Sequence, residues 1–222
     1  MLKAQPTAKG TGISIFGSYE DLICLYDTVH HLAETLHADN KYQKGQHQLL
    51  MNFAYEIRKG YSGSRLKEKI VTAEEQENAF IYGFQVVWTD ILIFINALRN
   101  CAGYIHTDKL HQANLYMLEY IVETALFNYD AAGAQLIKEY IGQRINVGSM
   151  YAFIIYQAVH IKFISEKPGK GRFRKIPQLL SEHFSEWTLV YKELISSFEQ
   201  SATVQNCEVT DLEFSDFPDI KW

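Results

Sequence analysis

FIYGFQVVWTDILIFINAL, residues 80–98, is the stretch on which the fold turns. Its apolar density approaches that of a membrane span, yet Gln85, Asp90 and Asn96 interrupt it. A bilayer helix needs about 20 residues that are predominantly apolar. Phe80 to Val87 is rich in aromatic and β-branched residues, which suit a pleated, half-buried surface. Trp88-Thr89-Asp90 then places polar groups where a helix begins. The stretch therefore predicts a strand running into a buried helix, and no membrane segment.

Towards the N-terminus, LKAQPT and ISIF flank KGTG within residues 2–17. Glycines there supply the φ > 0 positions of a tight turn, so a hairpin is expected. Ser18, with Asp21 three residues on, forms a capping-box pattern that opens a helix to about His37. ADNKYQKG, residues 38–45, is expected to close it. Residues 49–61 fit two periods. Met51, Phe53, Tyr55 and Ile57 alternate as in a strand, whereas Leu50, Phe53, Ala54 and Ile57 fit a helix. The GYSGS turn that follows favours a strand pairing with residues 80–87.

After Thr89 the chain reads as helices over 89–102, 107–128, 130–146, 149–165 and 176–200. Thr107, Asp130 and Ser149 sit at N-cap positions, and Pro177 suits a first turn. The expected fold class is α+β, with a small N-terminal antiparallel sheet packed on a predominantly helical C-terminal bundle. Residues 1–200 would form the single domain. Residues 201–222 would form a tail in which Glu208, Asp211, Glu213, Asp216 and Asp219 interleave with Leu212, Phe214, Phe217, Ile220 and Trp222.

Apolar residues make up 47% of the 222, which excludes disorder for most of the length. A net charge of −5 argues against a surface committed to nucleic acid. Cys24, Cys101 and Cys207 are too few and too scattered for a disulfide framework or a zinc ribbon. The start, MLKAQPTAKGTG, has no apolar signal-peptide core, so a cytoplasmic location is expected.

Several constellations invite chemistry. Asp27, His30, Glu34 and His37, spaced 3, 4 and 3, share one face of a helix, as carboxylate and imidazole metal ligands do. The same pattern is also that of a solvated face opposite Leu22, Leu25, Val29 and Leu32. Glu119 and Glu123 offer a paired-carboxylate reading, again open to solvation. Cys101 and His106 flank a linker but lack a third activating group. Asn114 falls on an apolar side, and Gln157 and His160 share a face with Phe153 and Ile164. These three polar groups would line a small-molecule pocket or hydrogen-bond internally.

EKPGKGRFRKIP, residues 166–177, concentrates Lys167, Lys170, Arg172, Arg174 and Lys175. With Phe173 between two arginines it could hold a phosphate and stack on a base, or it could be a wet connector. A third option pairs it with the acidic tail. Neither G-x-S-x-G, HExxH, GxxxxGK[ST] nor GxGxxG occurs, so no catalytic residue is assigned.

GTGISIFGSYEDL, YGFQVVWTDILIFINALR and HQANLYMLEY together resemble an uncharacterised family of bacterial proteins over most of residues 10–120. That resemblance implies no activity, substrate or cofactor, and it carries over no site residue. The leading expectation is a non-enzymatic protein acting by association with another protein or a second copy. The alternatives are a ligand-binding or enzymatic pocket between sheet and bundle, and phosphate or nucleic-acid contact at residues 167–175.

Overall fold

The computed structural model describes residues 1–70 and 79–222. The chain opens with strands β1 (Lys3–Pro6) and β2 (Gly12–Gly17), then helices α1 (Tyr19–Ala33) and α2 (Lys41–Tyr61). Strands β3 (Leu66–Ile70) and β4 (Ala79–Val87) follow, and β4 runs directly into α3 (Trp88–Ala102). The rest is helical: α4 (Lys109–Ile137), α5 (Ala152–Ser165), α6 (Lys170–Arg174), α7 (Ile176–Phe184) and α8 (Leu189–Gln205). The architecture is α+β. The sheet is antiparallel throughout, in the order β1-β2-β4-β3.

The N-terminal hairpin forms as the glycines predict. Gly10 has φ +64°, and the Thr7 hydroxyl accepts from the backbone N–H groups of both Thr11 and Gly12 at 3.1 Å. Ser18 caps α1 through the predicted box: its hydroxyl accepts from Asp21 N at 3.1 Å, and Asp21 Oδ2 accepts from Ser18 N at 3.0 Å. The register Ile13↔Val86 and Ile15↔Phe84 stacks four buried side chains on one face of the sheet. Phe84 meets Phe53 of α2, and Phe53 stacks on Phe94 of α3, so sheet and bundle share one core. Every residue from Trp88 to Leu98 is buried, which makes α3 the central helix. Among the described residues, no helix is long and apolar enough to cross a membrane.

The chief correction concerns residues 49–61, which belong to helix α2 and not to a strand. Leu49, Leu50, Phe53, Ala54 and Ile57 are buried, whereas Tyr55 is exposed and Met51 only half-buried. Burial follows a 3.6-residue period, so the apparent alternation had no face to serve. The strand beside β4 is β3 instead. Residues 38–45 do not merely close α1, which ends at Ala33; Asn40 caps α2 by accepting from Tyr42 N at 3.0 Å.

Other boundaries shift for similar local reasons. The helices expected at 107–128 and 130–146 form α4, capped by Asp108 rather than Thr107 and kinked at Asp130 (φ −157°, ψ 95°) where the second was expected to start, but it ends at Ile137 and not at 146. The helix expected at 176–200 divides, because Thr188 caps a new helix by accepting from Tyr191 N at 3.2 Å. Beyond α8 a short 3-10 turn (Val209–Asp211) leads into an irregular segment. This segment lies along α5: Phe214 N donates to Gln157 Oε1 at 3.0 Å, and the Phe217 ring meets that of His160 at 5.8 Å.

Candidate functional site

A cavity of about 570 Å³ opens where the end of β4 meets α2, α3 and α5. Asp90 and His160 lie at its inner wall. Asp90 stands in the first turn of α3, where the unpaired N–H groups of the helix favour a carboxylate. It is 5% exposed, and His160 is 7% exposed. His160 Nδ1 contacts Asp90 Oδ2 at 2.6 Å, while the Thr89 hydroxyl donates to Asp90 Oδ1 at 3.1 Å. Burial alone would lower the pKa of His160, but the Asp90 charge and hydrogen bond outweigh it, and the net shift is upward.

This contact selects a tautomer. When Nδ1–H donates to Asp90, Nε2 carries the lone pair. Nε2 has no hydrogen-bond partner among the described residues, and His160 lines the cavity. The arrangement is that of an oriented base: a carboxylate fixes the ring and stabilises the imidazolium that forms on proton uptake. One helical turn earlier, Tyr156 also lines the cavity. Burial, with Asp90 and Glu56 nearby, holds its hydroxyl well above the ordinary tyrosine range, so it stays protonated.

The outer wall comes from three segments. Glu56 of α2 takes a two-pronged contact from Arg65, with Nε and Nη2 donating at 2.8 and 2.6 Å. Gln85 of β4 donates to Ser14 Oγ at 3.3 Å and lines the cavity. The C-terminal segment contributes Ile220 and Trp222. Its end is held by Lys221 O, which accepts from the Thr11 hydroxyl; that hydroxyl in turn accepts from Arg172 Nη2 at 2.8 Å.

A family model described as a domain of unknown function, DUF6904, matches residues 2–222. The chain belongs to the DUF6904 family. No curated protein and no solved structure matches it. The site of this DUF6904 chain therefore has to be judged on its own chemistry.

Of the residues proposed from sequence for a pocket, the structure places one there. His160 lines the cavity. Gln157, on the same helix, turns its carbonyl to Phe214 N instead, and its buried Nε2 has no partner among the described residues. Asn114 does not line the cavity. Its amide donates to Cys24 O at 3.2 Å and to Thr28 Oγ1 at 2.8 Å, which satisfies it inside the α1–α4 contact.

The metal candidates Asp27, Glu34 and His37 are exposed, and His30 is half-buried against Tyr26. Among the described residues no group of three or more His, Cys, Asp or Glu side chains is placed to hold a metal ion. Glu119 is clasped by Arg99 through both carboxylate oxygens, while Glu123 is exposed. Burial pushes the Cys101 thiol up to about 11, the opposite of what a nucleophile needs.

The basic stretch is largely spent on the fold. Arg172 is buried, donating to the carbonyls of Phe163 and Glu166 at 3.3 and 3.2 Å, with its guanidinium over the Phe163 ring. Arg174 makes a two-pronged contact with Asp130 at 2.6 and 3.0 Å, and Lys175 pairs with Glu166 at 2.9 Å. Lys170 reaches Asp130 at 3.9 Å, and Lys167 is exposed. Phe173 packs between Trp88 and Tyr129 in the core rather than offering a stacking face. Among the described residues no ion pair joins the acidic tail to these cations. Asp211 pairs with Lys44, and the link to Arg172 passes through the neutral Thr11 hydroxyl.

Sequence reasoning missed Asp90, Glu56, Arg65, Tyr156 and Trp222 as site residues. For Asp90 a signal existed. A carboxylate inside an apolar run must find a partner, and His160 was the imidazole on the other strongly apolar helix.

Proposed function

We propose that the chain binds a small polar organic molecule in the cavity between sheet and bundle, with His160 exchanging a proton with it at Nε2. The observation that carries this reading is the Asp90–His160 contact at 2.6 Å on the wall of an open cavity of about 570 Å³. A buried carboxylate–imidazole pair is costly to desolvate and adds little net stability, so its placement at a cavity favours a chemical role. Cavities of roughly 300–1,000 Å³ are typical of small-molecule sites. The proton acceptor is His160, Asp90 is its positioning residue, and Tyr156 supplies a neutral hydroxyl. A cytoplasmic setting fits three cysteines that are all free.

The test is a thermal-shift screen of hydroxyl- and amide-bearing metabolites against the native chain and His160→Gln. A ligand bound only by the folded state raises Tm by mass action. Compounds that stabilise the native chain and fail on His160→Gln support the reading. Equal shifts on both chains, or none on either, reject it.

Association with a second copy is a further reading, supported by one surface. Leu110, Tyr116 and Tyr120 lie on one side of α4 and are 57%, 63% and 64% exposed. Sedimentation across a hundredfold concentration range tests it: a rising mass that Tyr120→Glu abolishes supports association, and a constant monomer mass excludes it.

A further inference from the structure

We infer, resting on the ligand-binding reading above, that the cavity takes a neutral, planar heteroaromatic compound rather than a phosphate, a carboxylate or a metal complex. Among the described residues, the ionisable side chains of the wall other than tyrosine form two internal pairs. Arg65 places Nε and Nη2 on the two carboxylate oxygens of Glu56, so its charge is matched and the pair offers an incoming anion no net positive charge. Both oxygens of Asp90 are already engaged, Oδ2 by His160 Nδ1 and Oδ1 by the Thr89 hydroxyl, so the carboxylate is not open to an incoming cation. A charged ligand would leave water without meeting an unspent counter-charge, and that desolvation goes uncompensated.

The neutral walls point the same way. Phe94 and Tyr156 stand 5.5 Å apart at 42°, and Trp222 lines the cavity from the C-terminal segment. Aromatic side chains bury flat rings well, favouring offset or edge-on contact. Around them stand groups suited to the donor–acceptor edge of a heterocycle. His160 Nε2 accepts when the ring is neutral, the protonated Tyr156 hydroxyl donates or accepts, and Gln85, whose Nε2 donates to Ser14 Oγ, also lines the cavity. A few oriented polar groups beside aromatic rings fix orientation and give specificity.

Matched probes test this on the full chain: nicotinamide against nicotinate, adenosine against AMP, and uracil against orotate, each by calorimetric titration. The expected result is that at least one neutral member binds, and binds ten times more tightly than its charged counterpart. The neutral member should also weaken at least fivefold on Trp222→Ala, a half-buried position at the edge of the core. Equal or tighter binding of the charged members overturns the inference. So does a screen in which only non-aromatic alcohols or amides bind; His160-dependent hits of that kind would leave the ligand-binding reading standing while this one falls. If no compound of either kind depends on His160, both fall.

Discussion

Asp90 and His160 are 70 residues apart in the chain and meet at 2.6 Å through Oδ2 and Nδ1, both almost wholly shielded from solvent. The contact joins the first turn of the central helix α3 to α5, and it is where folding and chemistry meet. Removing one partner leaves an uncompensated buried group, which typically costs about 3–5 kcal/mol. His160→Gln, like Asp90→Asn, is therefore expected to lower unfolding stability by about 3 kcal/mol. Asp90→Asn/His160→Gln should recover part of that loss. Urea denaturation of the two single variants and the double variant checks this, and strict additivity would show that the residues act independently.

The same pair fixes the sign of a pH effect. The pKa of His160 is raised in the folded chain, so its stabilisation is fully present below the unfolded value of about 6.5. It is lost as pH rises through the folded value. Burial lowers the pKa of His183, so its contribution runs the other way, present above about 6.5 and lost as pH falls. The stability difference between the native chain and His160→Gln should thus shrink from pH 6 to pH 9. Denaturation midpoints at both pH values measure it; a difference that grows with pH contradicts the account.

The C-terminal segment is held to the body through the Thr11 hydroxyl, which bridges Arg172 and Lys221 O. Thr11→Val deletes both hydrogen bonds and leaves the buried guanidinium short of one acceptor, at a cost of about 1–3 kcal/mol. Hydrogen exchange should accelerate selectively over residues 213–222, because the segment has no regular structure of its own. Uniform acceleration across the chain would show instead that Thr11 serves the core.

Phe173 is fully buried against Trp88 and Tyr129, so Phe173→Ala should destabilise by about 3–5 kcal/mol. Reversing the exposed Lys167 to Glu should leave stability within about 0.5 kcal/mol. A duplex-binding assay on that charge-reversed chain should match the native one at every salt concentration. A binding signal that falls steeply with salt and vanishes on reversal would restore the phosphate reading of the stretch.

How far the sequence reached depended on whether a signal was local. The hairpin, the capping box at Ser18 and the strand-to-helix junction at Trp88 are encoded within a few residues, and each was legible. Residues 49–61 were not, because Phe53 and Ile57 fit both periods and only packing against Phe84 and Phe94 decides between them. The site follows the same division. His160 drew attention as a polar group on an apolar helix, but its partner is 70 residues away and stood in what read as a helix start. Gln157 and Asn114 looked equivalent to His160 and were not. One serves the tail, the other the α1–α4 contact. The five cations of residues 167–175 misled for a related reason, since spacing does not reveal that Arg172 and Phe173 point inward.

The account rests on an imidazole held by Asp90 with its other nitrogen open to the cavity. Nitrogen-resolved NMR titration of the histidine rings tests that most directly. The account predicts that His160 titrates above 6.5, carries its neutral-state proton on Nδ1, and drops in pKa on Asp90→Asn. A His160 that titrates at or below 6.5, with its proton on Nε2 and no response to Asp90→Asn, would contradict it.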